Sequence, residues 1–137
     1  MRLLDKFFEK ANKKEVLSWT LFDFANSSYS ALIISLAFPI YFKEVIASGP
    51  ASDFYWGLTI SISILIGGIA APFIGAMTDY DGKKKSRFIL YSLLSIIGTA
   101  LLYFTGKNQV LLASLIFIVA NIFFELAIVL YNSFLND

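Results

Sequence analysis

A chain of 137 residues that is 58% hydrophobic and only 15% charged is not composed like a soluble domain, and it reads as an integral membrane protein. Its net charge of +1 hides a local asymmetry but gives no reason to expect nucleic acid as a partner. With no Cys and no His, disulfides, thiol nucleophiles, the usual zinc sites and imidazole acid–base chemistry are excluded, so no metal, cofactor or catalytic centre is expected.

Residues 1–17 read as a cytoplasmic lead-in. Leu3, Leu4, Phe7, Phe8 and Ala11 recur at helical spacing opposite Lys6, Lys10 and Lys13. That pattern suits a short amphipathic helix on the anionic inner leaflet, and equally a frayed, solvated segment. Four apolar runs follow within 18–137, at 18–42, 54–78, 88–105 and 110–135. A bilayer core of ~30 Å takes about 20 helical residues, so the expected fold class is all-α integral membrane with four transmembrane helices.

The first run is too long for the apolar stretch of a signal peptide and contains Asp23 and Asn26, so it reads as an uncleaved span. Trp19, Asp23, Asn26 and Ser30 fall at i, i+4, i+7 and i+11, on one helix face. A carboxylate at mid-membrane depth costs roughly 2.5–3.5 kcal/mol, so this face should not look at lipid. It either borders a polar pathway or ties helices together by hydrogen bonds, unless Asp23 lies shallow enough to stay wet.

Turn chemistry at 48–53 precedes the second run, with Ser52 or Asp53 as the expected N-cap, and Asn108 is the corresponding candidate before the fourth. In the second run Gly67, Ala71 and Gly75 form a small-xxx-small row beside Gly68 and Pro72, which lets a neighbouring helix approach closely. Pro72, like Pro39 in the first run, is a candidate bend.

The second run breaks off in GAMTDYDGKKKSR, from Gly75 to Arg87. A phosphate-binding loop is excluded, because six residues separate Gly75 from Gly82 and Lys83 is followed by lysine. Asp79 sits at the C-terminal end of a helix, where the macrodipole disfavours an acid by roughly 0.3–1 kcal/mol, so it calls for a basic partner or the N-terminus of another helix. Gly82 permits a tight reversal.

The third run is the shortest, and its Ser92, Ser95, Gly98 and Thr99 read as helix contacts. In the fourth, Asn121, Glu125, Ile128 and Asn132 share a face, and Glu125 is the deepest charge in the chain. No Lys or Arg lies well inside any span, so protonation, a water-filled cavity or another chain segment must compensate. Nine of the eleven Lys and Arg residues lie before the first span or between the second and third; only Lys43 and Lys107 fall on the other side. The positive-inside rule therefore places the N-terminus and the 79–87 loop in the cytoplasm.

Gly75-x3-Asp79-x2-Gly82-Lys83-Lys84 resembles the cytoplasmic loop signature of the major facilitator superfamily. Ser18-Trp19-Thr20-Leu21-Phe22-Asp23-Phe24-Ala25-Asn26-Ser27-Ser28-Tyr29 resembles the first-helix motif of the branch that holds the fungal vacuolar effluxer linked to autophagy and its bacterial relatives. Phe38-Pro39-x-Tyr41-Phe42 and Tyr131-Asn132-Ser133-Phe134-Leu135 add two matches, while Asn136 departs from the proline that branch tends to carry.

The resemblance implies the N-terminal portion of a major facilitator superfamily fold, a secondary active transporter of about twelve helices in two halves that works by alternating access. It implies amino acids or similar small metabolites as substrate and a bacterial cytoplasmic membrane as location. In that fold the first and fourth helices line the cavity, so Asp23, Asn26, Ser30, Asn121, Glu125 and Asn132 are expected on the substrate pathway, with Glu125 the candidate for proton coupling. Gly75, Asp79, Gly82, Lys83 and Lys84 are expected in a cytoplasmic latch between the halves. The chain stops at Asp137 as the fourth span emerges. The expected partners are thus the lipid bilayer, the small-molecule substrate and the missing C-terminal helices of the same transporter, and one incomplete repeat should not transport alone. The competing readings are a complete four-helix protein that dimerises as a small exporter, or a non-transporting scaffold. The exporter reading sits poorly with a glutamate in the fourth span and a strong charge bias. Two isolated carboxylates make no catalytic constellation.

Overall fold

The computed structural model describes residues 13–134, so most of the expected lead-in and the last three residues lie outside the described residues. Four helices are long and apolar enough to cross a membrane: α1 (Lys13–Ile46), α2 (Ser52–Asp81), α3 (Lys84–Phe104) and α4 (Val110–Ser133). No strand occurs among the described residues, and the fold is that of an all-α membrane protein.

The helices outrun the apolar segments that define them, because backbone hydrogen bonding continues until a residue breaks it. At 1.5 Å per residue, the 30 residues of α2 span about 45 Å, well beyond the hydrocarbon thickness. Its polar end, Asp79 to Asp81, therefore projects past the apolar run. Gly82 stops the helix by taking a left-handed φ of 65° and returning its N–H to the Thr78 carbonyl at 3.0 Å. Pro72 does not interrupt α2. In α1, by contrast, π-helical turns at Ser30–Leu36 and Phe42–Ile46 flank the short stretch Ala37–Tyr41 that carries Pro39. Proline lacks the N–H that a regular turn requires, and a wider turn is one way to absorb the loss.

Residues up to Ile40 and residues from Tyr41 onward form two separate units. In the second unit α4 is the central helix, packed against α2 and against α3. Thr59 with Ser114 and Ser63 with Asn121 ascend both helices together, so α2 and α4 run parallel. Tyr91 with Phe123 and Phe88 with Tyr131 pair in opposite senses, so α3 is antiparallel to α4. The two approach closely at Gly98, where an added Cβ would lie 2.8 Å from the Ala120 Cβ. The sequence-based reading of Gly98 as a helix contact therefore holds.

The last turn of α1 belongs to this second unit. Phe42 and Ile46 are fully buried, and the Trp56 ring stands 5.3 Å from Phe42 and 4.9 Å from Phe117. Tyr41 donates its hydroxyl to the Thr105 carbonyl at 2.6 Å, and the Asn108 N–H reaches the Ile46 carbonyl at 3.2 Å. These bonds tie together the helix ends at the membrane face opposite the basic loop. They also correct the expected caps. Ala51 and Gln109 stand at the N-cap positions, and neither side chain caps its helix. Asp53 pairs instead with Lys43 at 3.0 Å, and Asn108 takes a left-handed φ of 66°, which asparagine tolerates better than most residues.

Candidate functional site

The face that α2 turns to α4 is polar for three turns. The Thr59 and Ser114 hydroxyls pair at 2.9 Å, with Thr59 also donating to the Tyr55 carbonyl. One turn on, Asn121, only 3% exposed, donates its amide nitrogen to the Ser63 hydroxyl at 2.7 Å and to the Glu125 carboxylate at 3.2 Å. Both donor interactions come from the same amide nitrogen, the orientation that a carboxylate beside it favours. The Asn121 carbonyl oxygen is left buried with no hydrogen-bond partner.

Glu125 completes the cluster. Its carboxylate lies against the backbone of α2 at Gly67, so closely that a Cβ added there would overlap Oε2 and come within 3.2 Å of the carboxyl carbon. Among the described residues Glu125 is met by an uncharged amide of its own helix, Asn121, and by the gap that Gly67 leaves on α2. The small-residue row is correspondingly reinterpreted. Gly67 meets a neighbour, whereas a Cβ at Gly68 or Gly75 would meet nothing within 4 Å.

The structure thus brings Asn121 and Glu125 together and adds Ser63 and Gly67 to them. Asn132 stands apart, exposed and about 10 Å farther along α4 by the helical rise. On α1, in the other unit, Asp23 is exposed, Asn26 is half-buried with its carbonyl oxygen lacking a partner, and Ser30 opens the first π-helical turn.

At the Gly82 end of α2, Asp79 finds its basic partner in Lys84 at 3.3 Å. With the Asp79 side chain 66% exposed, that pair contributes at most about 1 kcal/mol. The better-formed contact is one turn further: Arg87 donates to the Asp81 carboxylate at 2.5 Å and to the hydroxyl of Thr78 at 3.0 Å, and Thr78 is buried. Gly82 makes the reversal that brings Arg87 back to α2, while Lys83 is exposed at the N-cap of α3. Sequence reasoning passed over Ser63, Thr78, Asp81 and Arg87. Ser63 stood one turn before Gly67 in an apolar run, and Arg87 was one of four basic residues in a loop.

The segment containing this polar interface, residues 51–136, matches the family model described as vacuole effluxer Atg22 like. The chain belongs to the Atg22-like effluxer family. Within it, the chain is 37% identical over 128 residues to "Uncharacterized MFS-type transporter YxiO" of Bacillus subtilis (strain 168), a match covering 90% of this chain and 30% of that relative. It is 32% identical over 128 residues to an "Uncharacterized protein" of Aquifex aeolicus (strain VF5), covering 90% of this chain and 32% of the relative. The Atg22-like chain therefore spans about a third of the length of these relatives. No solved structure matches it. The resemblance to the major facilitator superfamily and its effluxer branch is confirmed: this is a transporter-family membrane protein.

Proposed function

We propose that this segment serves a secondary active transporter that moves amino acids or similar small metabolites across a bacterial cytoplasmic membrane by alternating access, with Glu125 as its coupling carboxylate. The observation that carries this reading is a glutamate inside a spanning helix, held by Asn121 and seated at Gly67, with no lysine or arginine well inside any of the apolar runs to neutralise it. Two bacterial relatives and the weight of basic residues before α1 and around α3 support the location and a cytoplasmic N-terminus. In this reading Asp23, Asn26, Ser30, Asn121 and Asn132 border the substrate pathway, and Gly75, Asp79, Gly82, Lys83 and Lys84 form the cytoplasmic latch; the resemblance of their motifs to the major facilitator superfamily supports both roles.

The chemistry follows from the hydrogen bond. An amide donating to a carboxylate makes a charge-assisted bond worth about 1.5–3 kcal/mol, and protonation of Glu125 removes the charge that strengthens it. Both groups lie on α4, and the same Asn121 amide is bonded to Ser63 of α2, so a proton arriving at Glu125 alters a network that spans the two helices. Coupling requires that the protonated and charged forms favour different arrangements of α2 and α4. The test is uptake and efflux of a labelled mixture of the proteinogenic amino acids by the whole transporter in liposomes. Movement that depends on an imposed pH gradient is expected. Amino acid movement indifferent to the gradient would refute proton coupling, and no movement of any amino acid would refute the substrate class.

A further inference from the structure

We propose that Gly67 is the positioning residue of Glu125: the missing side chain at this one place on α2 is the seat of the carboxylate, so residue size at 67 sets where the carboxylate stands. The role in transport rests on the reading of Glu125 as the coupling group; the seat itself rests on geometry alone.

Gly67 is buried within α2 and has ordinary helical backbone geometry, so nothing in its conformation demands glycine. Glycine is also the poorest helix former apart from proline, and its presence in a helix interior calls for a steric reason. The reason lies across the interface. A Cβ at 67 would overlap the Glu125 Oε2, approach its carboxyl carbon to 3.2 Å and stand 3.7 Å from its Cβ. The collision is therefore with the far end of the side chain, while the near end would remain in normal contact. At Gly57, Gly68 and Gly75, the other glycines of α2, a Cβ would meet nothing within 4 Å. The seat has a second fixing point one turn away, where Ser63 accepts from the Asn121 amide that also donates to Glu125. Ser63 and Gly67 on one helix thus define the position of the carboxylate on the other. A side chain at 67 must displace Oε2, and the carboxylate that Asn121 holds through Oε1 has to turn or shift with it.

The geometry makes a size-compensation test possible. Glu125→Asp withdraws the carboxylate by one methylene, away from the atoms that a Cβ at 67 would overlap. Wild type, Gly67→Ala, Glu125→Asp and the double variant form a cycle. Gly68→Ala is the control. Two readouts are taken on the whole transporter in membranes. One is the rate at which dicyclohexylcarbodiimide, a carboxyl reagent that partitions into lipid, modifies position 125, followed by mass spectrometry. The other is pH-gradient-driven amino acid flux.

Gly67→Ala is expected to change the modification rate at Glu125 by at least about fivefold and to cut flux about tenfold, a loss that corresponds to one decade in rate. In the Glu125→Asp background the same substitution should change the modification rate by less than about twofold, and the double variant should transport better than Gly67→Ala alone. Gly68→Ala should match wild type in both. An unchanged modification rate in Gly67→Ala overturns the seat, as do equal changes in both backgrounds. If Gly67→Ala fails to accumulate while the double variant folds, size compensation is demonstrated directly. Failure of both to accumulate overturns the seat in favour of a general packing requirement at Gly67. If the modification cycle behaves as expected while wild-type flux ignores the pH gradient, the seat stands and the coupling role of Glu125 falls.

Discussion

Gly98→Leu is expected to remove most of the folded protein, at a cost of about 3 kcal/mol or more. Forcing volume into a packed contact typically costs about 1–3 kcal/mol, and here the first added atom already lies 2.8 Å from the Ala120 Cβ and 3.3 Å from its Cα. Neither of those atoms can rotate away, so relief requires α3 and α4 to separate, and α4 is the helix against which the rest of the second unit packs. Total stabilities of about 5–15 kcal/mol leave little margin for such a loss. Unfolding in mixed detergent, followed by circular dichroism, should rank Gly98→Ala, Gly98→Val and Gly98→Leu in increasing order of damage. Ala120→Gly should partly restore Gly98→Ala, because the worst contact is between the two Cβ atoms. Gly68→Leu, on an exposed face, should change stability by only about 0.5 kcal/mol. A Gly98→Leu protein as stable as wild type would mean that α3 and α4 do not approach at this level.

Glu125→Gln is expected to abolish accumulation driven by a pH gradient while leaving substrate exchange across the membrane intact. Glutamine keeps the shape of the side chain, fits the seat at Gly67 and still offers an oxygen to the Asn121 amide, so the fold should persist. What it loses is the capacity to take up and release a proton. Exchange of labelled for unlabelled substrate needs the pathway and the conformational cycle but no net proton movement. The two assays therefore separate coupling from transport. Accumulation that retained its pH dependence in Glu125→Gln would move the coupling group elsewhere, with Asp23 the next carboxylate to test.

The number, order and type of the helices were legible because each apolar run is long enough to announce itself. Glu125 was legible as well, since a charge so deep in an apolar run stands out by its cost. Its partners were hidden. Helical periodicity puts Gly67, Ala71 and Gly75 on one face, but which of them receives a carboxylate depends on the rotation of α4 and on its register with α2, neither of which is written in local spacing. Ser63 is one of several serines in apolar runs, and only the parallel packing of α2 and α4 selects it. Arg87 looked like part of a solvated basic loop until the reversal at Gly82 carried it back to Asp81 and Thr78. The expected caps failed for a related reason: Asp53 had a better partner in Lys43, ten positions away across the connection. Tyr41 and Phe42, which carry part of the family resemblance, turn out to hold helix ends together.

The most direct measurement is disulfide formation between positions 67 and 125. The chain contains no cysteine, so Gly67→Cys with Glu125→Cys creates the only thiol pair in this segment. The separation of 3.7 Å between a Cβ at 67 and the Glu125 Cβ lies within the span of about 3.5–4.5 Å that a disulfide requires. Mild oxidation in native membranes should give a nearly complete intrachain bond for this pair and little for Gly68→Cys with Glu125→Cys. No bond at 67, or equal bonding at 67 and 68, would mean that Glu125 does not sit on α2 where its seat has been placed.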